Sequence, residues 1–244
     1  MKLIFLFVII SHGLIHLIGF VKAFNFAKIE GFSTDISKTT GLIWLLPLIL
    51  FLLVGVLFLM HKDWIWIPAL AAVITSQALI ILTWQDAKFG TIPNLIIFVF
   101  AIFSFAAWEF NGQIEKETES LLSEAKTVEE DVITEEMTAS LPASVQKWVK
   151  NIGLIGTKPV HIAYFEQRAK MKLKPDQADW FPAEVVQYVT TEHPGFLWKV
   201  NMKMFSIIDV AGRDQFHDGQ GSMTIKIGSL IPVVNEANDR KTNQ

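Results

Sequence analysis

Four long apolar segments dominate the first half of the chain. None of them contains Asp, Glu, Lys or Arg, and they cover residues 3–21, 41–60, 64–84 and 92–108. About 20 residues, at a rise of about 1.5 Å each, cross the roughly 30 Å hydrocarbon core of a bilayer. The pattern therefore predicts an integral, multi-pass membrane protein with an α-helical bundle of four transmembrane helices.

After Asn111 the hydrophobic pattern changes twice. First, residues of an apolar seam recur at alternating spacings of four and three among many glutamates, which predicts an amphipathic helix. These residues are Ile114, Thr118, Leu121, Ala125, Val128 and Val132. Alternation with a period of two then predicts antiparallel strands within residues 160–173, 183–191, 196–205, 207–217 and 221–228. The expected fold class is a membrane helical bundle plus a C-terminal α+β domain with an antiparallel meander. The meander could also curl into a half-barrel.

Charge divides the chain in the same places. Residues 1–111 carry six Lys and five acids, whereas residues 112–142 carry two Lys and nine acids. The remaining residues hold thirteen Lys or Arg and ten acids. We expect a transmembrane domain over residues 1–111 and then an acidic linker over 112–141, which is either a helical stalk or disordered. A soluble β domain with a short N-terminal helix follows over 142–234, and residues 235–244 form a polar tail.

Several kinds of chemistry have no support in the sequence. The chain has no cysteine, so it has no disulfide, thiolate nucleophile or Cys-ligated metal. Neither a Ser nucleophile motif, a glycine-rich phosphate loop nor a metal-type His spacing occurs, and nothing indicates nucleic-acid binding. We therefore assign no catalytic residue, metal ligand or cofactor and lean against an enzyme.

Polar residues inside the predicted spans are the candidates for a function of the bundle. His12 and His16 lie one helical turn apart on one face, and Gln77 has a comparable depth in the third span. An unpaired polar group in hydrocarbon costs several kcal/mol, so these side chains are expected to face one another. Two interpretations stay open: a metal, haem, quinone or proton site, and a hydrogen-bond network that only fixes the bundle.

The run from Trp84 to Asn94 has two interpretations. Asp86 followed by Ile92-Pro93-Asn94 resembles the first aspartate motif of prepilin-type membrane aspartic peptidases. That chemistry needs two carboxylates, and the second motif of that family, Gly-x-Gly-Asp, does not occur in the chain. The favoured interpretation is a tight interfacial loop in which Gly90 permits the turn and Asp86 is solvated.

One face of the predicted meander is apolar and the other is basic. The apolar face is the candidate ligand-binding surface, formed by Phe165, Met171, Phe196, Trp198, Met202, Met204 and Met223. Something must cover it, and ordinary core packing, a cavity inside a half-barrel, dimerisation and docking on the bundle are the alternatives. A lipid, a lipoprotein or another apolar partner would suit this face, besides the bilayer itself. The opposite face carries lysines and arginines and is expected to be solvated.

The ends of the spans give a predicted orientation. Five tryptophans lie near these ends and are expected to be interfacial anchors: Trp44, Trp64, Trp66, Trp84 and Trp108. More lysines follow the first and third spans than the second, which by the positive-inside rule places the soluble domain outside the cytoplasm. Residues 3–21 are read as a retained helix, with a cleaved signal peptide as the alternative.

Several motifs together resemble an uncharacterised bacterial membrane-protein family. They are Ser11 to Phe20, Trp84 to Gly90, Pro194 to Trp198, Arg213-Asp214, and Asp218 to Gly221. The resemblance implies a bacterial inner-membrane protein of the cell envelope whose C-terminal domain is similar to lipoprotein-carrier half-barrels, and it implies no activity. Members of that family continue far beyond the equivalent of Val234, so the resemblance implies that this chain is C-terminally short.

Overall fold

The computed structural model describes residues 2–125, 132–172, 174–204 and 209–237. The seam position Val128, the last residue of the predicted first strand, part of the predicted third and fourth strands and the end of the polar tail lie outside these ranges. The chain divides into two compact units, one built mainly from Met1–Asn111 and the other mainly from Gly112–Met204 and Val210–Ile227. Each unit is described by itself below.

The first unit is helical and has four segments long and apolar enough to cross a membrane. These segments are Lys2–Ala23, Lys38–Leu59, Asp63–Leu82 and Trp84–Ala125. Their α-helices are α1 (Lys2–Ile15), α2 (Leu17–Ala23), α3 (Lys38–Ile43), α4 (Leu45–Leu59), α5 (Trp66–Leu82), α6 (Trp84–Ala87) and α7 (Thr91–Ala125). These helices fit a membrane protein, and each predicted apolar segment coincides with one of the helical stretches, although the segments 41–60 and 64–84 extend one and two residues past the ends at Leu59 and Leu82.

Small residues let the helices of the bundle approach closely. A Cβ on Gly41 would lie 2.2 Å from the Cβ of Ala23, and a Cβ on Gly19 would lie 2.1 Å from the Trp44 ring. Close approach through small residues is typical of helices that pack in lipid, where dispersion contacts replace the hydrophobic effect. Trp44 is consequently buried, and its predicted role as an interfacial anchor is wrong.

The second unit contains a six-stranded, open antiparallel sheet. Its strands are β1 (Ile162–Met171), β2 (Phe181–Thr190), β3 (Gly195–Lys203), β4 (Asp209–His217), β5 (Gln220–Ile227) and β6 (Ile231–Ala237). They follow one another in sequence order, so the sheet is the predicted meander with one more strand. Two short helices precede it, α8 (Glu135–Thr138) and α9 (Ala143–Asn151).

The register places the predicted apolar residues on one face of the sheet. Ala183 is paired with Met202 and Val185 with Val200, and these four side chains are buried together with Val210. The half-buried side chains packed around this cluster include Met171, Trp198 and Met204. Much of the predicted apolar face is thus an ordinary hydrophobic core.

The last part of α7 lies against the other face of the sheet. Leu121 is buried, and a Cβ on Gly195 would lie 2.8 Å from Leu121 Cδ1 and 2.9 Å from the carbonyl oxygen of Phe216. Only glycine therefore fits where the helix meets β3. Residues 112–125, expected to be a stalk or a disordered linker, are helical and pack on the sheet, while the predicted domain bounds themselves stay a prediction.

Candidate functional site

The bundle contains a continuous network of buried polar side chains. His12 Nε2 lies 2.8 Å from Asn94 Oδ1, and His16 Nε2 lies 2.9 Å from the hydroxyl of Ser76. The Ser76 hydroxyl also lies 3.3 Å from His12 Nε2, which links the two histidines. Asn94 Nδ2 donates to Gln77 Oε1 at 3.0 Å, so the three residues expected from the sequence, His12, His16 and Gln77, are joined through Ser76 and Asn94.

The partners of each histidine fix its neutral tautomer. His16 Nδ1 lies 2.9 Å from the carbonyl oxygen of His12 and must donate to it, so His16 Nε2 accepts from the Ser76 hydroxyl. Because Asn94 Nδ2 donates to Gln77, Asn94 Oδ1 is the acceptor for His12 Nε2–H. The proton of His12 is thus on Nε2, and its Nδ1 carries a lone pair.

His12 Nδ1 is the open position of this network. It is buried without a hydrogen-bond partner among the described residues, and His12 as a whole is only 3% exposed. Gly90 is next to the same ring, since a Cβ built on it would lie 3.5 Å from His12 Cε1 and 2.8 Å from Ile80 Cδ1. The absence of a side chain on Gly90 therefore lets this part of the chain pack closely against Ile80 and the imidazole.

Asp86, in α6, is bonded to the loop that follows the first span. Its carboxylate accepts from the Ser33 hydroxyl at 2.9 Å, from the Thr34 amide at 2.8 Å and from the Thr34 hydroxyl at 2.6 Å. Asp86 is partly exposed, as expected, but it is not merely solvated, because three donors hold it. These bonds fasten the loop after the first span to α6.

The residues expected to bind a ligand on the sheet fall into two groups. Met202 is buried, and the other members of the buried cluster surround it. Phe165 is 45% exposed and is paired across β2 with Gln187, whose other neighbour is Trp198. Phe196 and Met223 are half-buried. One end of the apolar face is therefore packed, and the other end is partly open.

A groove of about 540 Å³ lies on the opposite face, between α7 and the sheet. Its walls include Tyr164, Tyr188, Lys199, Glu115 and Glu119. The groove therefore combines charged and aromatic side chains and differs in character from the predicted apolar ligand surface.

Three members of the bundle network were missed by sequence reasoning: Ser76, Asn94 and Thr91, whose hydroxyl accepts from Gln77 Nε2 at 3.2 Å. Ser76 directly precedes Gln77 and was overlooked as a small residue in an apolar run, whereas Asn94 was assigned to an interfacial turn. The position of Asn94 could have indicated its place in the network. It comes four residues after Gly90, at the start of the fourth span, and is therefore level with the end of the third span. A polar residue near a span end can point inward as well as outward.

Comparison with known proteins adds one match. Residues 139–244 match the model of a family of unknown function, DUF6920. This region contains α9 and the sheet and is less than half of the chain. No curated protein matches the chain, and no solved structure does. The match agrees with the resemblance to a domain of unknown function and assigns no activity.

Proposed function

We propose that this membrane protein binds a small, membrane-soluble molecule bearing a hydroxyl group, of the quinol type, inside its helical bundle. His12 Nδ1 is the observation that carries the proposal. A buried acceptor without a partner costs about 1–3 kcal/mol, and a network that served only to hold helices together has no use for such a position. A ligand that donates a hydrogen bond gives it one.

The donor set favours a hydrogen-bonded ligand over a metal or haem. Both ring nitrogens of His16 already have partners, so a single imidazole nitrogen remains. A closed zinc site needs four ligands and a catalytic one usually three from the protein. One lone pair in an apolar setting suits a hydroxyl donor or a proton. A quinol combines such a donor with the solubility in lipid that an intramembrane site requires.

The experiment compares the two redox forms of one probe. Full-length protein in detergent is titrated anaerobically with decylubiquinol and with decylubiquinone, and binding is followed by isothermal titration calorimetry. The quinol should bind about fivefold to tenfold more tightly, because a lone pair accepts from a hydroxyl and repels a carbonyl oxygen. Equal affinities, or no saturable binding of the quinol, would overturn the proposal.

Two variants locate the binding. His12→Phe fills the same space without the lone pair and should abolish the preference for the quinol. His193→Phe changes an exposed histidine in the turn between β2 and β3 and should leave binding unchanged. If His12→Phe lowers thermal stability while the wild-type protein binds no quinol, the network is structural.

A second candidate function concerns the sheet. We propose that the open end of its apolar face, at Phe165, Phe196 and Trp198, binds an acyl chain of a lipid or lipoprotein in the cell envelope. The partial exposure of Phe165, on the same face of the sheet as the half-buried Phe196 and Trp198, favours this. The bilayer that anchors the chain is a nearby source of acyl chains.

Native mass spectrometry tests the acyl-chain proposal on the full-length protein. We expect lipid adducts that survive mild removal of detergent and decrease several-fold in Phe165→Ser. Val160→Ser, which changes another exposed apolar residue before β1, is the matched control. Adducts that are identical in the wild-type protein and in Phe165→Ser would contradict the assignment.

A further inference from the structure

Three potential metal ligands meet where the end of α7 faces the β4–β5 hairpin. Glu124 is in the last turn of α7, His217 is the last residue of β4, and Asp218 is in the turn that follows. One ligand atom from each residue lies within 4.8 Å of the others. His217 Nε2 and Glu124 Oε2 are 3.0 Å apart.

The distance between the histidine and the glutamate suits both an ion pair and a metal site. Two ligands of a tetrahedral metal with bonds of about 2.0–2.1 Å are about 3.3 Å apart, which differs little from the observed spacing. The carboxylate oxygen of Asp218 would need to move by no more than about 1–2 Å, which a rotation of a side chain in a turn can provide. The geometry is therefore close to that of three ligands on one metal.

The residues of this cluster differ from those of a simple ion pair on the same helix. Two turns earlier on the same helix, Glu117 pairs with Arg213, so that one carboxylate meets one permanent cation. At the end of α7 two carboxylates lie beside one imidazole, and the three offer a mixed set of oxygen and nitrogen ligands. A divalent transition metal can bind such a set.

We propose that Glu124, His217 and Asp218 bind a divalent transition metal, with Zn²⁺ as the representative ion. An imidazole ligand favours such metals over Mg²⁺ and Ca²⁺, which prefer oxygen ligands only. Water completes the coordination, because Asp218 is exposed and the other two side chains are partly exposed. The metal fastens the end of α7 to the β4–β5 hairpin.

Zinc titration of the full-length protein tests the site. Protein treated with EDTA is titrated with ZnCl₂ by calorimetry, with MgCl₂ and CaCl₂ in parallel. We expect one saturable zinc site, no comparable binding of the other two ions, and slower hydrogen exchange in residues 112–125 when zinc is bound. Equal binding of the three ions, or no saturable zinc binding, would overturn the proposal.

The sharpest variant is Asp218→Asn. Asp218 has a φ of 52°, a conformation that asparagine also tolerates, so the turn is preserved while the charge is lost. Zinc affinity should fall at least about tenfold in this variant and in His217→Ala. His193→Ala, which removes the exposed histidine between β2 and β3, should retain the site. Affinity that Asp218→Asn leaves unchanged would assign the zinc to other residues and overturn the proposal.

Discussion

The two compact units bury polar side chains in different ways. The network of the bundle is built from neutral groups and includes two imidazoles, two hydroxyls and two amides, joined by hydrogen bonds. In the sheet unit the buried polar contact under α7 is ionic, with Arg213 Nε 3.0 Å from Glu117 Oε2. Taking ions out of water costs several kcal/mol each, more than neutral groups require, which explains why charge is absent from the bundle network.

The difference indicates what each arrangement can do. Arg213 also donates to the Ser222 carbonyl oxygen at 3.1 Å and to Glu117 Oε1 at 3.3 Å, so its charge is used to hold the helix on the sheet. In the bundle, one acceptor on His12 remains open. A neutral network can leave such a position at modest cost, and that position is where a ligand can bind.

The largest effect is expected from breaking the ionic contact. Arg213→Ala leaves the Glu117 carboxylate without its cation, which should destabilise the sheet unit by about 3–5 kcal/mol, as for other pairs buried in proteins. Hydrogen exchange of the full-length protein in detergent should show faster exchange in residues 112–125 and in β4. The double variant Glu117→Leu/Arg213→Leu should recover much of the protection, because no charge is then left unpaired.

An exposed ion pair on the same sheet is the control. Lys203 and Glu184 are 3.8 Å apart, and both side chains are more than half exposed. Lys203→Ala should therefore leave hydrogen exchange almost unchanged. If Arg213→Ala behaved like Lys203→Ala, the contrast between the buried and the exposed pair would be wrong.

A smaller effect is expected in the bundle. Ser76→Ala removes the hydroxyl that links His16 to His12 and should destabilise the bundle by about 0.6–1.7 kcal/mol, the range measured for hydrogen bonds between membrane helices. The measurement is unfolding of the purified protein in mixed micelles with increasing SDS. Thr75→Ala is the matched control, since within the described part of the chain the Thr75 hydroxyl bonds only to backbone carbonyl groups of its own helix. A loss as large as that of Arg213→Ala would contradict the comparison.

Much of the bundle could be predicted because lipid imposes a strong pattern. Absence of charge over about 20 residues identified the four spans, and the spacing of His12 and His16 placed both on one face. The prediction that Trp44 is an interfacial anchor was wrong because hydropathy gives the position of a residue along a helix and not the face on which it lies. Packing against Gly19, a contact between residues distant in sequence, decides the position of Trp44.

The sheet was predicted less completely, for reasons that lie in particular residues. Strand β6 contains Pro232, Asn235 and Glu236, which are typical of loops but are tolerated on an edge strand. The docking of α7 was missed because residues 112–141 were expected to form an acidic linker, either a helical stalk or disordered. The spacing of seven residues from Glu117 to Glu124, with Leu121 between them, puts all three on one helical face, and the basic side of the sheet offered complementary charge.

The smallest effect concerns a tyrosine hydroxyl in the sheet unit whose pKa is changed by a neighbouring carboxylate. The bundle network consists of neutral partners and, among the described residues, has no such contact. The Tyr164 hydroxyl donates to the Glu166 carboxylate, and this contact raises the pKa of Tyr164 to about 12. Its contribution to stability is therefore fully present below about pH 10 and is lost as the pH rises towards 12. Glu166→Gln should lower the pKa towards about 10.

Ultraviolet titration can follow this group, because the chain has only two tyrosines. Tyr164→Phe identifies the absorbance step that belongs to Tyr164, and circular dichroism at each pH checks that the sheet persists. If the step occurs at the same pH in the wild-type protein and in Glu166→Gln, the carboxylate is not its cause. A downward shift in the variant would show that charge tunes side chains in the sheet unit, whereas the bundle relies on neutral partners.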